Sequence, residues 1–374
     1  MENFISYLQF VKTCLEDNFA RFKSIHIVLG NESCDIDSSI SAIILGYFLH
    51  FQKPSKIPTN SLIIPVQNVC KESFPFRTDT CYLYKEIGLP LDLLVYKDQL
   101  SFETLMKTKN VTTSLVDHHV LTESQKILES TVIQIIDHRP LDVNASWNEN
   151  KVDLIIEQVG SCATLIADQI ISTADGLLFR EIGYLLYATI IFDTQSLSPE
   201  TKRAKELDFK IAEYLETNYN FPDRRENLYK KIWKAHNDVS HLTPKQILTK
   251  DCKVVKKVPV PGLPMLAEDF LNLDGAYEAI RLFAIDNNVP LLVIMGIDTT
   301  EVVRRDIAIF FTTDGEKLMD KLLEMLCNCQ QVKGYDFQFK EINTEFEDIK
   351  CFRQENVTLS RKQIIPIILD AVEL

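Results

Sequence analysis

The sequence predicts a two-domain α/β protein, and three observations support this fold class. The chain has 374 residues, more than one hydrophobic core usually organises, since domains mostly contain ~100–200 residues. Short apolar runs alternate with helical patterns, which is typical of a parallel sheet covered by helices. The polar stretch Glu216–Arg225 contains Pro222 and indicates a linker. We therefore expect one domain over residues 1–218 and a smaller one over residues 226–374.

The N-terminal half contains short apolar runs that we predict to be strands. Ile25–Leu29 is the first, and it ends at Gly30, a residue that commonly bounds strands. The runs that follow it in order are Leu62–Val66, Thr113–Val116, Val132–Ile136 and Leu185–Phe192. Helical patterns cover Ser38–Phe51 and Ala163–Ile171. Because strands and helices alternate, we expect βαβ units and a parallel sheet.

The C-terminal part resumes the alternation after the predicted linker. A helical pattern covers Glu226–Asn237. Three strand-like runs and two further helical patterns follow, namely Val254–Val260, Leu291–Ile297, Ile307–Phe311, Glu316–Cys327 and Ser360–Val372. This part of the chain has the length of an ordinary domain, so we expect a second α/β unit.

The charge balance excludes two classes of partner. Lys and Arg (40) are outnumbered by Asp and Glu (53), which gives a formal net charge of −13. Binding to a nucleic-acid backbone or an anionic membrane surface needs the opposite balance, so we expect neither. The longest apolar runs, Ser41–Phe51 and Ile182–Phe192, are shorter than the ~20 residues that cross a bilayer.

The cysteines and the first segment indicate the compartment. The nine cysteines are scattered, and no Cys-x-x-Cys pair occurs, which favours reduced thiols over disulfides or a zinc site. The segment from Met1 to Phe19 has neither the basic start nor the continuous apolar stretch of a signal peptide. We therefore expect a cytoplasmic protein.

Acidic residues follow the predicted strands at the point where each strand ends. Asp35 and Asp37 follow the first run, Asp117 follows Thr113–Val116, and Asp193 follows the run that ends at Phe192. A further strand end carries Asp137, His138 and Arg139. Since ligands of open parallel sheets bind beyond the carboxyl ends of the strands, we expect these side chains to converge.

Converging carboxylates repel one another unless protons or cations neutralise them. A set of oxygen ligands with one or two histidines suits Mn²⁺ or Mg²⁺ better than structural zinc. The i, i+2 spacing of Asp35 and Asp37 lets them serve two neighbouring metals. Three of the seven histidines, His118, His119 and His138, also lie close to these aspartates in sequence. Paired metals activate water and hold a phosphoryl group for in-line attack, so the pattern indicates phosphoryl chemistry.

Six sequence elements together resemble a known family, and they are GNESCDIDSSISA (Gly30–Ala42), LVDHHVL (Leu115–Leu121), IIDHRP (Ile135–Pro140), VGSCATLIAD (Val159–Asp168), ATIIFDT (Ala188–Thr194) and SRKQIIP (Ser360–Pro366). In this order they are similar to the DHH phosphoesterase superfamily, in the branch of family II pyrophosphatases and exopolyphosphatases, and most similar to the animal prune proteins. The resemblance implies an N-terminal parallel-sheet DHH domain and a smaller C-terminal DHH-associated domain, with the active site in the interdomain cleft.

The resemblance also implies roles for individual residues. The metal ligands would be Asp35, Asp37, Asp117, His138, Asp193 and Asn31, with Asp117 bridging two divalent cations, Mn²⁺ or Mg²⁺. Asp137 would orient His138. The catalytic residues would be Asp117, His118 and Arg139, and the substrate-binding residues would be Arg139, His119, Lys253, Arg361 and Lys362. The basic residues Lys202, Arg203 and Lys205 match no family element, and we interpret them as a solvated face.

Two positions depart from the usual pattern of the family. Asn31 stands where the family usually has a metal-binding histidine, and an amide is a poorer ligand than imidazole. Arg139 stands where the family has the second histidine of its DHH signature. Arginine stays protonated and cannot give a proton to the leaving group, although it can hold phosphate through two hydrogen bonds. Both departures resemble the prune subgroup.

The resemblance implies release of phosphate from short-chain inorganic polyphosphates, by attack of a metal-bridged hydroxide on a terminal phosphorus. Cyclic-nucleotide phosphodiesterase activity stays open as an alternative substrate class. A second alternative is a weakly active interaction protein that binds nucleoside diphosphate kinase. Phosphate release by the purified chain distinguishes the enzyme from the interaction protein.

Overall fold

The computed structural model describes residues 1–142, 145 and 147–373. The chain divides into two compact units, Met1–His236 and Asn237–Leu374. The predicted fold class is confirmed, because each unit is built from helices packed on one six-stranded sheet. Within the described residues, no helix has the length and apolar character that crossing a membrane requires.

The first unit contains six strands and eight α-helices within the described residues. The strands are β1 (Ser24–Leu29), β2 (Leu62–Gln67), β3 (Val95–Tyr96), β4 (Asn110–Val116), β5 (Val132–Asp137) and β6 (Asp153–Ile156). The helices are α1 (Glu2–Glu16), α2 (Ile36–Gln52), α3 (Thr78–Glu86), α4 (Phe102–Thr108), α5 (Cys162–Ala174), α6 (Arg180–Asp193), α7 (Glu206–Asn218) and α8 (Arg225–Asn237).

The first sheet is parallel throughout and has the order β3-β2-β1-β4-β5-β6. Strands β2 and β3 follow β1 on one side of the sheet. Strand β4 then pairs with the other side of β1. The carboxyl ends of β1 and β4 therefore form the switch point where open α/β sheets bind their ligands. The burial of β1, with only Ser24 partly exposed, is expected for a central strand covered on both faces.

The run Leu185–Phe192 forms the second half of helix α6, so the predicted strand is wrong. Every residue from Ile182 to Ile191 is buried, and a helix that is buried on all sides carries no polar stripe to reveal its period. An apolar run of this kind fits a central strand and a buried helix equally well. Asp193 thus reaches the sheet edge from the end of a helix.

The stretch Glu216–Arg225 is not a linker between the units, because it connects α7 to α8 within the first unit. Helix α8 belongs to the first core through Leu228 and Ile232, and its His236 Nδ1 lies 2.8 Å from Asp79 Oδ2. The division between units therefore follows His236, later than the expected boundary between residues 218 and 226.

The second unit also contains six strands, with five helices, within the described residues. The strands are β7 (Cys252–Val255), β8 (Val258–Leu263), β9 (Leu291–Asp298), β10 (Arg304–Phe311), β11 (Phe339–Ile342) and β12 (Ile349–Gln354). The helices are α9 (Pro244–Lys250), α10 (Ala267–Leu271), α11 (Ala276–Asp286), α12 (Glu316–Lys333) and α13 (Arg361–Glu373). The sheet order is β11-β12-β10-β9-β8-β7, and only the β8–β9 pair is parallel.

The run Val254–Val260 was predicted as one strand, but it contains a hairpin. Lys256 and Lys257 connect β7 to β8, and both have positive φ angles, of 47° and 71°. Such a two-residue turn usually contains Asn or Gly, because positive φ is costly for other residues. The sequence lacks this signal, so the turn was missed.

Candidate metal centre

The loop between β1 and α2 places two aspartates at the switch point. Asp35 is the N-cap residue of α2, and its Oδ1 accepts a hydrogen bond from the Ser38 amide at 3.1 Å. This is the ordinary capping role of an aspartate, and it leaves the partly exposed carboxylate at the cavity wall. Asp37 lies in the first turn of α2 and is 4 % exposed.

Asp37 is held by the beginning of α5. Its two carboxylate oxygens accept hydrogen bonds from the backbone amides of Cys162 and Ala163, at 2.6 and 2.9 Å. A helix N-terminus favours negative charge in this way. Burial nevertheless raises the pKa of Asp37, against the opposing effects of the His138 charge and these two amides. The carboxylate is therefore fixed in position but incompletely neutralised by protein groups.

Asp117 follows β4 in a left-handed conformation, with φ of +59°. Aspartate and asparagine tolerate this region better than other non-glycine residues. Its Oδ2 accepts hydrogen bonds from Ser38 Oγ at 2.6 Å and from Asn31 Nδ2 at 2.8 Å. Burial and the charge of Asp37 raise the pKa of Asp117 to about 7. Because the buried carboxylates of Asp37 and Asp117 repel each other, a positive charge between them is favourable.

His138 supplies a nitrogen to the same place. Its Nε2 lies 3.3 Å from Asp117 Oδ1 and 3.9 Å from Asp37 Oδ2. Its Nδ1 lies 3.1 Å from the Val159 carbonyl oxygen, which fixes Nε2 as the inward nitrogen. Burial lowers the pKa of His138, but the Asp117 hydrogen bond and the charges of Asp37 and Asp117 outweigh it and raise the pKa to about 9.

Asp137 was expected to orient His138, but it bonds to a different histidine. Asp137 is fully buried, and its Oδ2 lies 2.5 Å from His119 Nδ1. The carbonyl of Val159 takes the orienting role for His138 instead. The sequence could not distinguish the two, because Asp137 is adjacent to His138 in sequence while His119 approaches it from the end of β4.

Asp193, the last residue of α6, completes the acidic wall. Within the described part of the chain, its buried Oδ2 has no hydrogen-bond partner. Burial and the charge of Asp37 raise the pKa of this carboxyl well above its ordinary range. A buried carboxylate oxygen without a protein donor is costly unless a cation or proton satisfies it.

The donor atoms converge on one point. One ligand atom each from Asp37, Asp117 and His138 lies within 4.8 Å of the others. They face a cavity of about 340 Å³, whose wall consists of Asp35, Asp37, Asp117, His138, Arg139, Val159, Gly160, Asp193 and Arg203. Clustered carboxylates, an inward imidazole nitrogen and an unsatisfied buried oxygen together fit a divalent cation site with oxygen-rich ligands.

Asn31 does not present a ligand atom to this site. Its Oδ1 accepts hydrogen bonds from the backbone amides of Ser33 and Cys34, at 3.0 and 3.1 Å. Because backbone amides can only donate, these two bonds establish which amide atom is oxygen. The Nδ2 group then points toward Asp117, to which it donates. Asn31 thus holds the central carboxylate in place.

The two histidines after Asp117 bond to groups that are not part of the cavity wall. Both ring nitrogens of His119 have partners, because Nδ1 meets Asp137 and Nε2 accepts from the Asp142 amide at 2.9 Å. His118 bonds through Nδ1 to the Val116 carbonyl at 2.9 Å, its Nε2 is buried, and burial lowers its pKa. Neither residue belongs to the described cavity wall. Their geometry supports structural roles.

Two arginines line the cavity beside the acidic cluster. Arg139 NH2 lies 3.3 Å from Asp117 Oδ1, with about half of its side chain (51 %) exposed. Arg203 NH1 donates to the Asp193 carbonyl oxygen at 3.3 Å. Arg203 was interpreted from the sequence as part of a solvated face. It follows Asp193 by ten positions without any motif, and only the return of the chain after α6 brings it to the cavity.

The predicted basic residues of the C-terminal part lie in the second unit. Arg361, at the start of α13, donates from NH2 to both carboxylate oxygens of Asp251, at 2.8 and 2.6 Å. It also donates from NH1 to the Val260 carbonyl at 3.2 Å. Lys253 on β7 and Lys362 on α13 are exposed. Arg361 is thus held by an ion pair of its own unit, while the two lysines are accessible.

The sheet order and the acidic cluster fit the DHH superfamily that the sequence resembles. A DHHA2 domain model matches residues 230–371. The chain is 30 % identical to the exopolyphosphatase PRUNE1 of Bos taurus, across 100 % of this chain and 79 % of that protein. Identity to the Homo sapiens exopolyphosphatase PRUNE1 is 28 %, across 98 % of this chain and 79 % of that protein. The chain therefore belongs to the PRUNE1 exopolyphosphatase family.

A solved structure shares the fold. A Methanococcus jannaschii protein assigned to the family II inorganic pyrophosphatases superposes with a TM-score of 0.52 and is 21 % identical. The match covers 94 % of this chain and all (100 %) of the other. The predicted superfamily and the predicted prune-like character are confirmed by the DHHA2 match and by the PRUNE1 relatives.

Proposed function

We propose that this protein is a metal-dependent hydrolase that releases phosphate from short-chain inorganic polyphosphates. The observation that carries the proposal is the cluster of Asp37, Asp117 and His138 beside two arginines, on one cavity wall. Relatives named exopolyphosphatases support an exopolyphosphatase-like hydrolase, and the pyrophosphatase-like fold supports a phosphoric anhydride substrate.

The acidic residues would hold divalent cations. Asp37, Asp117, His138 and Asp193 are the ligands that the geometry favours, with Asp35 at the outer wall of the cavity. Bound Mg²⁺ or Mn²⁺ would lower the pKa of water and neutralise phosphate charge. We infer two cations from the family pattern, because Asp35 and Asp193 line the same cavity and add two carboxylates to the three-residue cluster.

The arginines would bind the anionic substrate. Arg139 and Arg203 place two guanidinium groups on the cavity wall, and guanidinium groups hold phosphate oxygens through paired hydrogen bonds. Lys253 and Lys362 of the second unit would add positive charge. Arg361 is already paired with Asp251, so we assign it the positioning of α13 in place of the predicted substrate contact. Inorganic pyrophosphate alone is a poorer candidate than longer chains, because Arg139 cannot protonate a leaving group.

The experiment that tests this proposal is phosphate release from tripolyphosphate by the purified chain with Mg²⁺ or Mn²⁺. We expect the Asp117→Asn variant to lose activity by about 10²-fold or more, because the metals supply several kcal/mol of transition-state stabilisation. Asp92→Asn, a change at an exposed carboxylate, is the matched control and should retain wild-type activity.

Tetrapolyphosphate, pyrophosphate and cyclic AMP assayed in parallel distinguish the substrate classes. Faster turnover of cyclic AMP than of tripolyphosphate would favour the phosphodiesterase alternative. No phosphate release by the wild type with either metal would contradict the hydrolase proposal. Binding to nucleoside diphosphate kinase and a cytoplasmic location stay predictions from the sequence.

A further inference from the structure

A second cavity lies in the first unit, at the amino ends of the parallel strands β1 and β2. Its volume is about 760 Å³, and its wall includes Ser24 at the start of β1 and Ile63 near the start of β2. The metal cluster follows the carboxyl ends of β1 and β4. Because these strands are parallel, the second cavity and the metal centre lie at opposite ends of the strands. The second cavity therefore belongs to no part of the site described above.

The charged residues of this wall have one sign. Among the described residues that line it, Arg21, Lys23 and Lys53 are basic and none is acidic. This is unexpected in a chain with a net charge of −13. Arg21 has an exposed partner, Asp17, at 3.4 Å, and such a surface ion pair contributes little. A concave wall of one sign concentrates the field and attracts anions.

The wall also has an aromatic face. Phe10 is 40 % exposed, and its ring centroid lies 6.1 Å from that of Phe22 and 6.1 Å from that of His50. Burial, together with the charge of Lys53, lowers the pKa of His50 and so favours its uncharged ring. An inorganic anion gains nothing from this apolar surface, whereas a ligand with a planar ring stacks on it.

The helix dipole explains the position of only one of the basic residues on this wall. Lys53 caps the C-terminus of α2, where a cation is favourable because of the helix dipole. Lys23, however, precedes β1, and Phe10 belongs to α1. Three separate segments thus bring cations and an exposed aromatic ring to one concavity. Its volume lies in the ~300–1,000 Å³ range of small-molecule sites.

We propose that this cavity binds a nucleoside diphosphate or triphosphate. The base packs against Phe10 and Phe22, and the phosphates lie at Lys23 and Lys53. The proposal is independent of the hydrolase activity, because it uses none of the metal ligands and none of the arginines of the metal centre.

Calorimetric titration of the full chain with ADP, adenosine and inorganic tripolyphosphate tests the proposal. EDTA is present in every titration, so that divalent cations do not recruit phosphates to the metal centre. We expect ADP to bind about tenfold or more tightly than either adenosine or tripolyphosphate, because each of these offers only half of the recognised chemistry.

Three variants locate the binding. The double variant Lys23→Glu, Lys53→Glu should weaken ADP binding by about tenfold or more. Lys107→Glu changes the charge of an exposed lysine on α4, outside the cavity, and should bind ADP like the wild type. Asp117→Asn alters the metal centre and should also leave ADP binding unchanged. Thermal unfolding of each variant establishes that it is folded.

Several outcomes would overturn the proposal. The first is a wild-type chain that does not bind ADP. The second is ADP binding that the double variant retains while Asp117→Asn loses it, since the ligand would then occupy the metal centre. The third is tripolyphosphate binding as tightly as ADP, which would remove the role of the aromatic face. If the double variant does not fold, Phe10→Ala, a change at a partly exposed ring, replaces it with the same expectation for ADP.

Discussion

Arg203 is a residue whose importance only the structure reveals. Its guanidinium group reaches the wall of the metal centre and donates to the Asp193 carbonyl. In sequence it is one of three basic residues, with Lys202 and Lys205, that share no motif with the metal ligands. The neighbouring Lys202 is exposed and is not part of the cavity wall. Substituting Arg203 or Lys202 removes one positive charge in either case, so a difference between the two variants reports the effect of position in the cavity.

We expect Arg203→Gln to raise the KM for tripolyphosphate by about tenfold, the loss of roughly one charge-assisted contact, while kcat changes little. Lys202→Gln should leave both constants unchanged. The measurement is steady-state phosphate release over a range of tripolyphosphate concentrations. Equal effects of the two substitutions would mean that Arg203 acts only through the overall charge.

Asn31 explains how the central carboxylate is kept in place without a histidine ligand. We expect Asn31→His to lower the Mn²⁺ concentration for half-maximal activity by about tenfold, because imidazole is a better ligand than an amide. Asn31→Ala is the control, since it removes the hydrogen bond to Asp117 without adding a ligand. Metal titration of phosphate release compares the three proteins. The expectation fails if the histidine and alanine variants respond alike to Mn²⁺.

At the scale of elements, the central strand β1 carries a buried histidine that the chemistry does not use. His26 is fully buried, with Nδ1 2.9 Å from Thr112 Oγ1 and Nε2 3.0 Å from Ser114 Oγ. Burial lowers the pKa of His26 to about 3. Protonation of this ring is therefore unfavourable in the folded chain.

The stability of the first unit should depend on pH through this ring. The unfolded chain binds a proton at His26 below about pH 6.5 and the folded chain does not. The free energy of unfolding is therefore complete above about pH 6.5 and falls toward about pH 3, by up to about 1.4 kcal/mol per pH unit. In His26→Gln this contribution is absent, so wild type should lose more stability than the variant between about pH 6.5 and about pH 5.

Urea unfolding of both proteins at several pH values measures this difference. His241→Gln, which removes an exposed histidine of the second unit, is the matched control and should follow the wild type. Parallel pH dependence of wild type and His26→Gln would show that the ring is protonated in the folded chain.

The sequence predicted the elements whose patterns are local. Strands β1, β2, β4 and β5 follow from runs of β-branched residues, and their carboxyl ends locate Asp35, Asp37 and Asp117. The prediction failed for α6, because a helix that is buried on all sides shows no helical period in its sequence. It also failed for the β7–β8 hairpin, because two lysines form the turn where Asn or Gly is usual. The contact that Gly160 makes was also beyond prediction. Its amide donates to the buried Asp208 at 2.7 Å, a contact across 48 positions.

At the scale of the whole molecule, each unit has its own hydrophobic core. One core cluster of the first unit runs from Phe4 to Ile232, and one of the second runs from Val255 to Ala371. The proposed metal ligands belong entirely to the first unit. The lysines that we assign to substrate binding, Lys253 and Lys362, belong to the second. We therefore expect the first unit alone to bind metal ions but to turn over substrate poorly.

We expect a fragment of residues 1–236, which spans the first unit, to fold and to bind Mn²⁺, because it contains its complete core and every proposed ligand. Its turnover of tripolyphosphate should be strongly reduced, because the lysines of the second unit are absent. Calorimetry with Mn²⁺ and the phosphate assay measure the two properties. Full turnover by the fragment would contradict a substrate role for Lys253 and Lys362.

The left-handed backbone at Asp117 has a consequence for how this protein could change over time. Among residues with a side chain, aspartate and asparagine are the two that best tolerate that conformation. A single base change converts an aspartate codon into an asparagine codon. One such change would replace the central carboxylate with an amide of the same shape and leave the chain path intact. Under the proposed function, a descendant could thus lose polyphosphate hydrolysis in one mutational step and keep the rest of its surface unchanged.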